Sequence, residues 1–196
     1  MAVLLLAGCL AIACDDDKPA SRATATGTAV TAVEQSFPSQ GNDHLADASD
    51  PHPAYNSNPP TSGWHLAALP RPGVYTQARR PEELPHFMEH GGVWLLYNCP
   101  NGCQADVQAL TAITNGAIDK GRPVALAPFP GMSARFALVA WQRLFTLDGI
   151  DRARVEDFIG HYACDYNPEG GPYCSVLRGS PGPTTGTPTP LTSPRP

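Results

Sequence analysis

The segment from Gly91 to Phe129 constrains the fold more than any other. After Gly91-Gly92, Val93-Trp-Leu-Leu-Tyr97 is a short unbroken apolar run, the pattern of a buried strand. Val107, Leu110, Ile113 or Thr114, and Ala117 or Ile118 then recur at helical spacing from Gln104 to Lys120, and Gly121 supplies the stop. Pro123-Val-Ala-Leu-Ala-Pro-Phe129 reads as a second strand. Strand, helix and strand in this order imply a right-handed crossover and a parallel pair. The stretch Phe136 to Leu147 fits either a helix or strands, and a strand or hairpin is favoured. Asp151 is placed to cap a last helix, because Val155, Phe158, Ile159 and Tyr162 fall on one face. Residues 50 to 85 carry eight prolines and are expected to be mostly irregular. The expected fold is α+β (or α/β): a small sheet with a βαβ unit, a C-terminal helix and long ordered Pro-rich loops.

Composition divides the rest of the chain. Residues 1–14, MAVLLLAGCLAIAC, have the length of an export signal core and are too short to span a bilayer. Small residues before a cysteine resemble a bacterial lipobox, with Cys14 the expected lipidation site and Cys9 the alternative. An ordinary cleaved signal peptide is the competing reading. Either way the chain is expected outside the cytoplasm, and a lipid would hold it at a cell membrane, on the periplasmic side or at the cell surface. Residues 15–43 suit a flexible tether, 44–177 a single globular domain, and 178–196 a disordered Pro/Thr/Gly tail. A net charge of −5 without a basic cluster argues against nucleic-acid binding.

In an oxidising compartment Cys164 and Cys174, flanking a turn-rich loop, are expected to form a disulfide. Cys99 and Cys103 stay open between a second structural disulfide and a redox pair. A thiol at the start of a helix is favoured as thiolate by the macrodipole. The segment Tyr97-Asn-Cys-Pro-Asn-Gly-Cys-Gln104 also resembles the Cys-Pro-x-x-Cys region of Sco-type copper proteins, which use a later histidine; His161 is the downstream candidate.

His86 and His90 are four apart and would share one face of a helix. With Glu89 they spell His-x-x-Glu-His, the inverted zinc-protease pattern. The context argues against proteolysis: Pro81 and Pro85 before and Gly91-Gly92 after leave little more than two helical turns, and no third zinc carboxylate stands out downstream. A bland alternative is that both histidines hydrogen-bond to loop carbonyls.

Longer motifs point to a family. Tyr55-Asn-Ser-Asn-Pro-Pro-Thr-Ser-Gly-Trp-His65, Gly73-Val-Tyr75, Pro85-His-Phe-Met-Glu-His-Gly-Gly-Val93, Pro130-Gly-Met132 and Ala140-Trp-Gln-Arg143 resemble the bacterial domain of unknown function 3105 family, in order from about His44 to Tyr162. Where members commonly carry Pro and Gly, this chain has Trp64 and Gln142. The resemblance marks His65, His86, His90 and Met132 as recurring metal-ligand positions, with His44 and Glu89 peripheral or supporting. Imidazoles with a thioether suit copper better than Mg, Ca or zinc. The leading expectation is a copper-binding carrier rather than an enzyme, exchanging metal with a donating or receiving protein. The rivals are a structural or partner-binding surface domain and a Sco-like thiol/copper protein using Cys99 and Cys103.

Overall fold

A computed structural model of the chain describes residues 30–174. The expected export segment with Cys9 and Cys14, residues 15–29 of the expected tether and the tail at 178–196 lie outside the described residues. In chain order the strands are β1 (Ala32–Ser36), β2 (His44–Leu45), β3 (His65–Leu66), β4 (Gly73–Val74), β5 (Val93–Tyr97), β6 (Val124–Pro128), β7 (Phe136–Ala140) and β8 (Arg143–Leu147). The helices are α1 (Pro85–Glu89), α2 (Gln104–Asp119) and α3 (Arg152–Tyr162), with a 3-10 turn at Pro81–Glu83. The fold is α+β. Six strands form one mixed sheet in the order β1-β8-β7-β5-β6-β4, and β2 and β3 form a separate two-stranded pair.

The expected crossover is present. β5 and β6 pair in parallel from Val93↔Val124 to Tyr97↔Pro128, connected through α2. Side chains alternate across β5: Val93 and Leu95 join one apolar cluster with Leu110 and Ile113 of α2 and Val155, Phe158 and Ile159 of α3. Trp94 and Leu96 join a second cluster on the opposite face, with Leu84, Phe87 and Met88 around α1 and Trp141. Both faces of the central strands are therefore covered, which explains why the run VWLLY shows no polar alternation.

The ambiguous stretch from Phe136 to Leu147 folds as a hairpin, with β7 and β8 antiparallel from Phe136↔Leu147 to Ala140↔Arg143. All five β7 residues are buried, and β7 also pairs with β5, so sheet packing decides against a helix here. The Trp141-Gln142 turn puts Gln142 at φ +63, a left-handed conformation that favours glycine. Asp151 caps α3, accepting from Ala153 N at 3.1 Å and Arg154 N at 3.3 Å, which stabilises the helix end by about 1 kcal/mol.

One expectation needs correction. Residues 32–36 fall in the stretch expected to be a tether, yet they form β1 and pair along the whole of β8, Ala32↔Leu147 to Ser36↔Arg143. The strand is mostly exposed, so it lacks the apolar alternation that betrays a half-buried strand; backbone pairing along the β8 edge holds it. No described helix is long and apolar enough to cross a membrane.

Candidate metal site

Backbone pairing brings the first two histidines together. In the parallel β2–β3 ladder His44 stands opposite His65, and the rings meet edge to face with centroids 4.8 Å apart. His65 is fully buried, while His44 faces solvent. The short α1 supplies the rest. Its spacing places His86, Glu89 and the C-cap residue His90 on neighbouring positions of one helical face. The His86 ring lies 5.0 Å from those of His44, His65 and His90, centroid to centroid.

Hydrogen bonding fixes the tautomers. His65 Nδ1 lies 2.8 Å from the Gly63 carbonyl, His86 Nδ1 3.1 Å from the Leu66 carbonyl and His90 Nδ1 2.6 Å from the Gly170 carbonyl. A carbonyl only accepts, so each Nδ1 must carry the proton, and in the neutral ring each Nε2 presents a lone pair. Those lone pairs point at other acceptors. His86 Nε2 and His90 Nε2 are 3.2 Å apart, and His65 Nε2 lies 3.3 Å from Glu89 Oε2. His65 Nε2 and both Glu89 oxygens are buried without a hydrogen-bond partner of good geometry, although the Glu89 side chain is about 1 % exposed.

Electrostatics follows from this burial. Removal from water pushes His65 down to about 4, the Gly63 hydrogen bond opposing and the neighbouring His86 and His44 reinforcing the shift. Burial likewise lowers His86. It raises Glu89, and Glu169 adds to the effect. Asn42, whose amide donates to Glu169 Oε1 at 2.5 Å, lies beside Glu89 and pulls the other way without closing a well-formed bond to it. At neutral pH burial holds His65 and His86 in the uncharged form, and the His65 Nε2 lone pair faces the Glu89 carboxyl.

The spacing of these side chains is one that could hold a metal ion. Ligand atoms of His44, His65, His86 and Glu89 all lie within 4.8 Å of one another, and a second group joins Glu89, His90 and Glu169 within the same limit. Two ligands on one tetrahedral ion with bonds of 2.0–2.1 Å stand about 3.3 Å apart. The His65–Glu89 separation matches that spacing. Carbonyl-bound Nδ1 atoms are also the usual outer support that orients metal-binding imidazoles.

The loop between Cys164 and Cys174 forms one wall. The disulfide is closed, Cys164 N donates to Gly91 O at 2.9 Å, and Gly170 O holds His90. Gly171 lies flat against the same ring, where a Cβ would stand 2.9 Å from His90 Cβ.

Other expected site residues fall elsewhere. Met132 does not join the histidines. Its carbonyl accepts from Asn98 just past the C-terminal end of β5, whereas α1 enters at the N-terminal end, and a five-residue strand spans about 17 Å. Its side chain is buried in the apolar cluster with Phe129 and Trp141, so packing explains the thioether. Cys99 and Cys103 form a disulfide before α2, packed against the other apolar cluster, and His161 lines a separate surface cavity with Glu34 and Phe145. Sequence reasoning places His44 and Glu89 at the periphery, yet both lie within ligand distance, and it misses Glu169 and Asn42 altogether. Only disulfide closure around residue 169 hints that this loop is held against something.

Fold and site together define an α+β domain with a buried histidine–carboxylate group of metal-ligand character. The chain belongs to the family described as Protein of unknown function (DUF3105), whose model matches residues 48–176. The match stops short of His44 on the N-terminal side. No curated protein and no solved structure matches the chain. The short likeness to Sco-type proteins gains no support from these comparisons.

Proposed function

We propose that this protein binds a first-row transition metal, copper as Cu(II) in first place, through His65, His86 and Glu89 with His44 beside them. One observation carries the reading: His65 Nε2 and the Glu89 carboxyl are both buried and face each other at 3.3 Å, and neither closes a well-formed hydrogen bond. Exchanging a thioether for a carboxylate moves the ligand set away from Cu(I) and towards divalent ions, and Cu(II) binds most tightly among the divalent first-row series. The role is carriage or storage. The bound ion would meet several protein ligands, and His44 is the exposed member through which metal would enter or leave. The export and lipid-anchor signals of residues 1–14 support work outside the cytoplasm at a membrane surface, with metal passed to or taken from a partner protein.

The test is titration of purified protein with Cu(II) and with Zn(II), followed by calorimetry and by the copper d–d absorption. Wild type is expected to bind stoichiometrically, Cu(II) tighter than Zn(II), and His65→Ala and His86→Ala each to weaken binding by at least tenfold. No saturable binding, or binding unchanged in both variants, refutes the reading and leaves a structural domain whose histidines are merely packed.

A further inference from the structure

We infer that the site accommodates two metal ions, with Glu89 as the carboxylate bridging them. This rests on the single-ion reading above and extends it to a second position. The ligand atoms separate into two groups that share only Glu89: His44, His65 and His86 on the buried side, His90 and Glu169 on the outer side. Six side chains exceed what one tetrahedral ion takes. Glu89 has two buried oxygens, and neither is committed to a hydrogen bond of good geometry. One is available to each ion, and a shared carboxylate between two cations lowers their mutual repulsion. Carboxylate-bridged pairs of this kind hold ions about 3.5–4 Å apart.

The two positions differ in chemistry. The inner one draws on three imidazoles, of which His65 and His86 are buried and His44 is exposed. The outer one has two carboxylates to one imidazole, which makes it the harder site. It is also assembled by the disulfide-closed loop, since Glu169 and the Gly170 carbonyl that orients His90 both come from between Cys164 and Cys174. Asn42 donates to Glu169 Oε1 and turns this exposed carboxylate towards the site. Gly171 allows the loop to lie against the His90 ring.

The experiment counts ions. Full-length protein with disulfides intact is dialysed against Cu(II) and, separately, Co(II), and metal per chain is measured by mass spectrometry, with Cu(II) spins counted by electron paramagnetic resonance. Two equivalents are expected, with the copper pair showing fewer than two spins because the bridge couples them. Glu169→Gln, on an exposed loop, is expected to leave one equivalent and one full uncoupled spin, while Glu156→Gln on the α3 surface leaves two. One equivalent in wild type, or two equivalents unchanged in Glu169→Gln, overturns the bridged pair and leaves the single-ion reading standing. No bound metal overturns both.

Discussion

Replacing Glu89 by glutamine should make the metal-free protein more stable and the metal-loaded protein less so. The carboxylate is buried beside His65 Nε2, which offers a lone pair and no proton. At pH 7 the metal-free protein either keeps a buried charge or takes up a proton. Protonating a carboxyl of ordinary value 4.5 at pH 7 costs about 3.4 kcal/mol, at 1.36 kcal/mol per unit, so this is a ceiling on the penalty. The substituted side chain would carry no charge and could donate its amide to His65 Nε2. The expected gain is about 1–3 kcal/mol, or about 3–10 °C in Tm for a domain of this size. The assay is thermal unfolding of wild type and Glu89→Gln in chelator, then with saturating Cu(II). Wild type should gain about 2.7 kcal/mol at metal concentrations a hundredfold above Kd, and the variant much less. The pH dependence has a definite sign. Burial raises the native pKa of Glu89 above its unfolded value, so between the two values the native state binds more protons and wild type gains stability as pH falls. The advantage of the variant should therefore shrink as pH falls. His65 runs the opposite way, its stability contribution being lost as pH falls from 6.5 through about 4, and because its Nε2 lies 3.3 Å from Glu89 the substitution shifts it too, so the sign for Glu89 is read above pH 6.5. A variant no more stable than wild type in chelator at pH 7 would refute the claim that Glu89 is unsatisfied without metal.

Three further outcomes are expected. Removing the Cys164–Cys174 disulfide by double serine substitution should cost about 3 kcal/mol by loop entropy for a separation of ten residues, read by denaturant unfolding, and should also weaken metal binding through His90. Gln142→Gly relieves a left-handed backbone that the side chain disfavours; it should raise stability by about 0.5–1 kcal/mol, measured as a shift in urea midpoint. Gly92→Ala places a Cβ about 2.4 Å from the Phe87 ring and should cost about 1–3 kcal/mol or more, with a matching drop in Tm and loss of the α1 geometry that presents His86.

The legible parts of this fold are those with a strong local period. β5, α2 and β6 each carry an apolar pattern long enough to set their type, and Asp151 marks the start of α3. β1 is illegible because Ala32–Ser36 buries almost nothing and is held by one neighbour. The site divides similarly. His86 and His90 are visible as a helical pair, but His44 meets His65 through a ladder of two residues, too short to leave a periodic trace. Met132 misleads because thioether chemistry and apolar packing use the same side chain. Glu169 reaches Glu89 only through a long-range loop closure, which no local pattern encodes.

The position of β1 decides how this chain can be shortened. A fragment trimmed to the family match at 48–176 would lose both β1 and His44. β8 would then carry an unpaired row of amides and carbonyls along Arg143–Leu147, with Leu144 and Leu147 beneath it. Such an edge invites pairing between molecules. Fragments beginning near residue 30 should stay monodisperse, whereas those beginning at 48 should self-associate, and their failure to bind metal would then say nothing about the histidines.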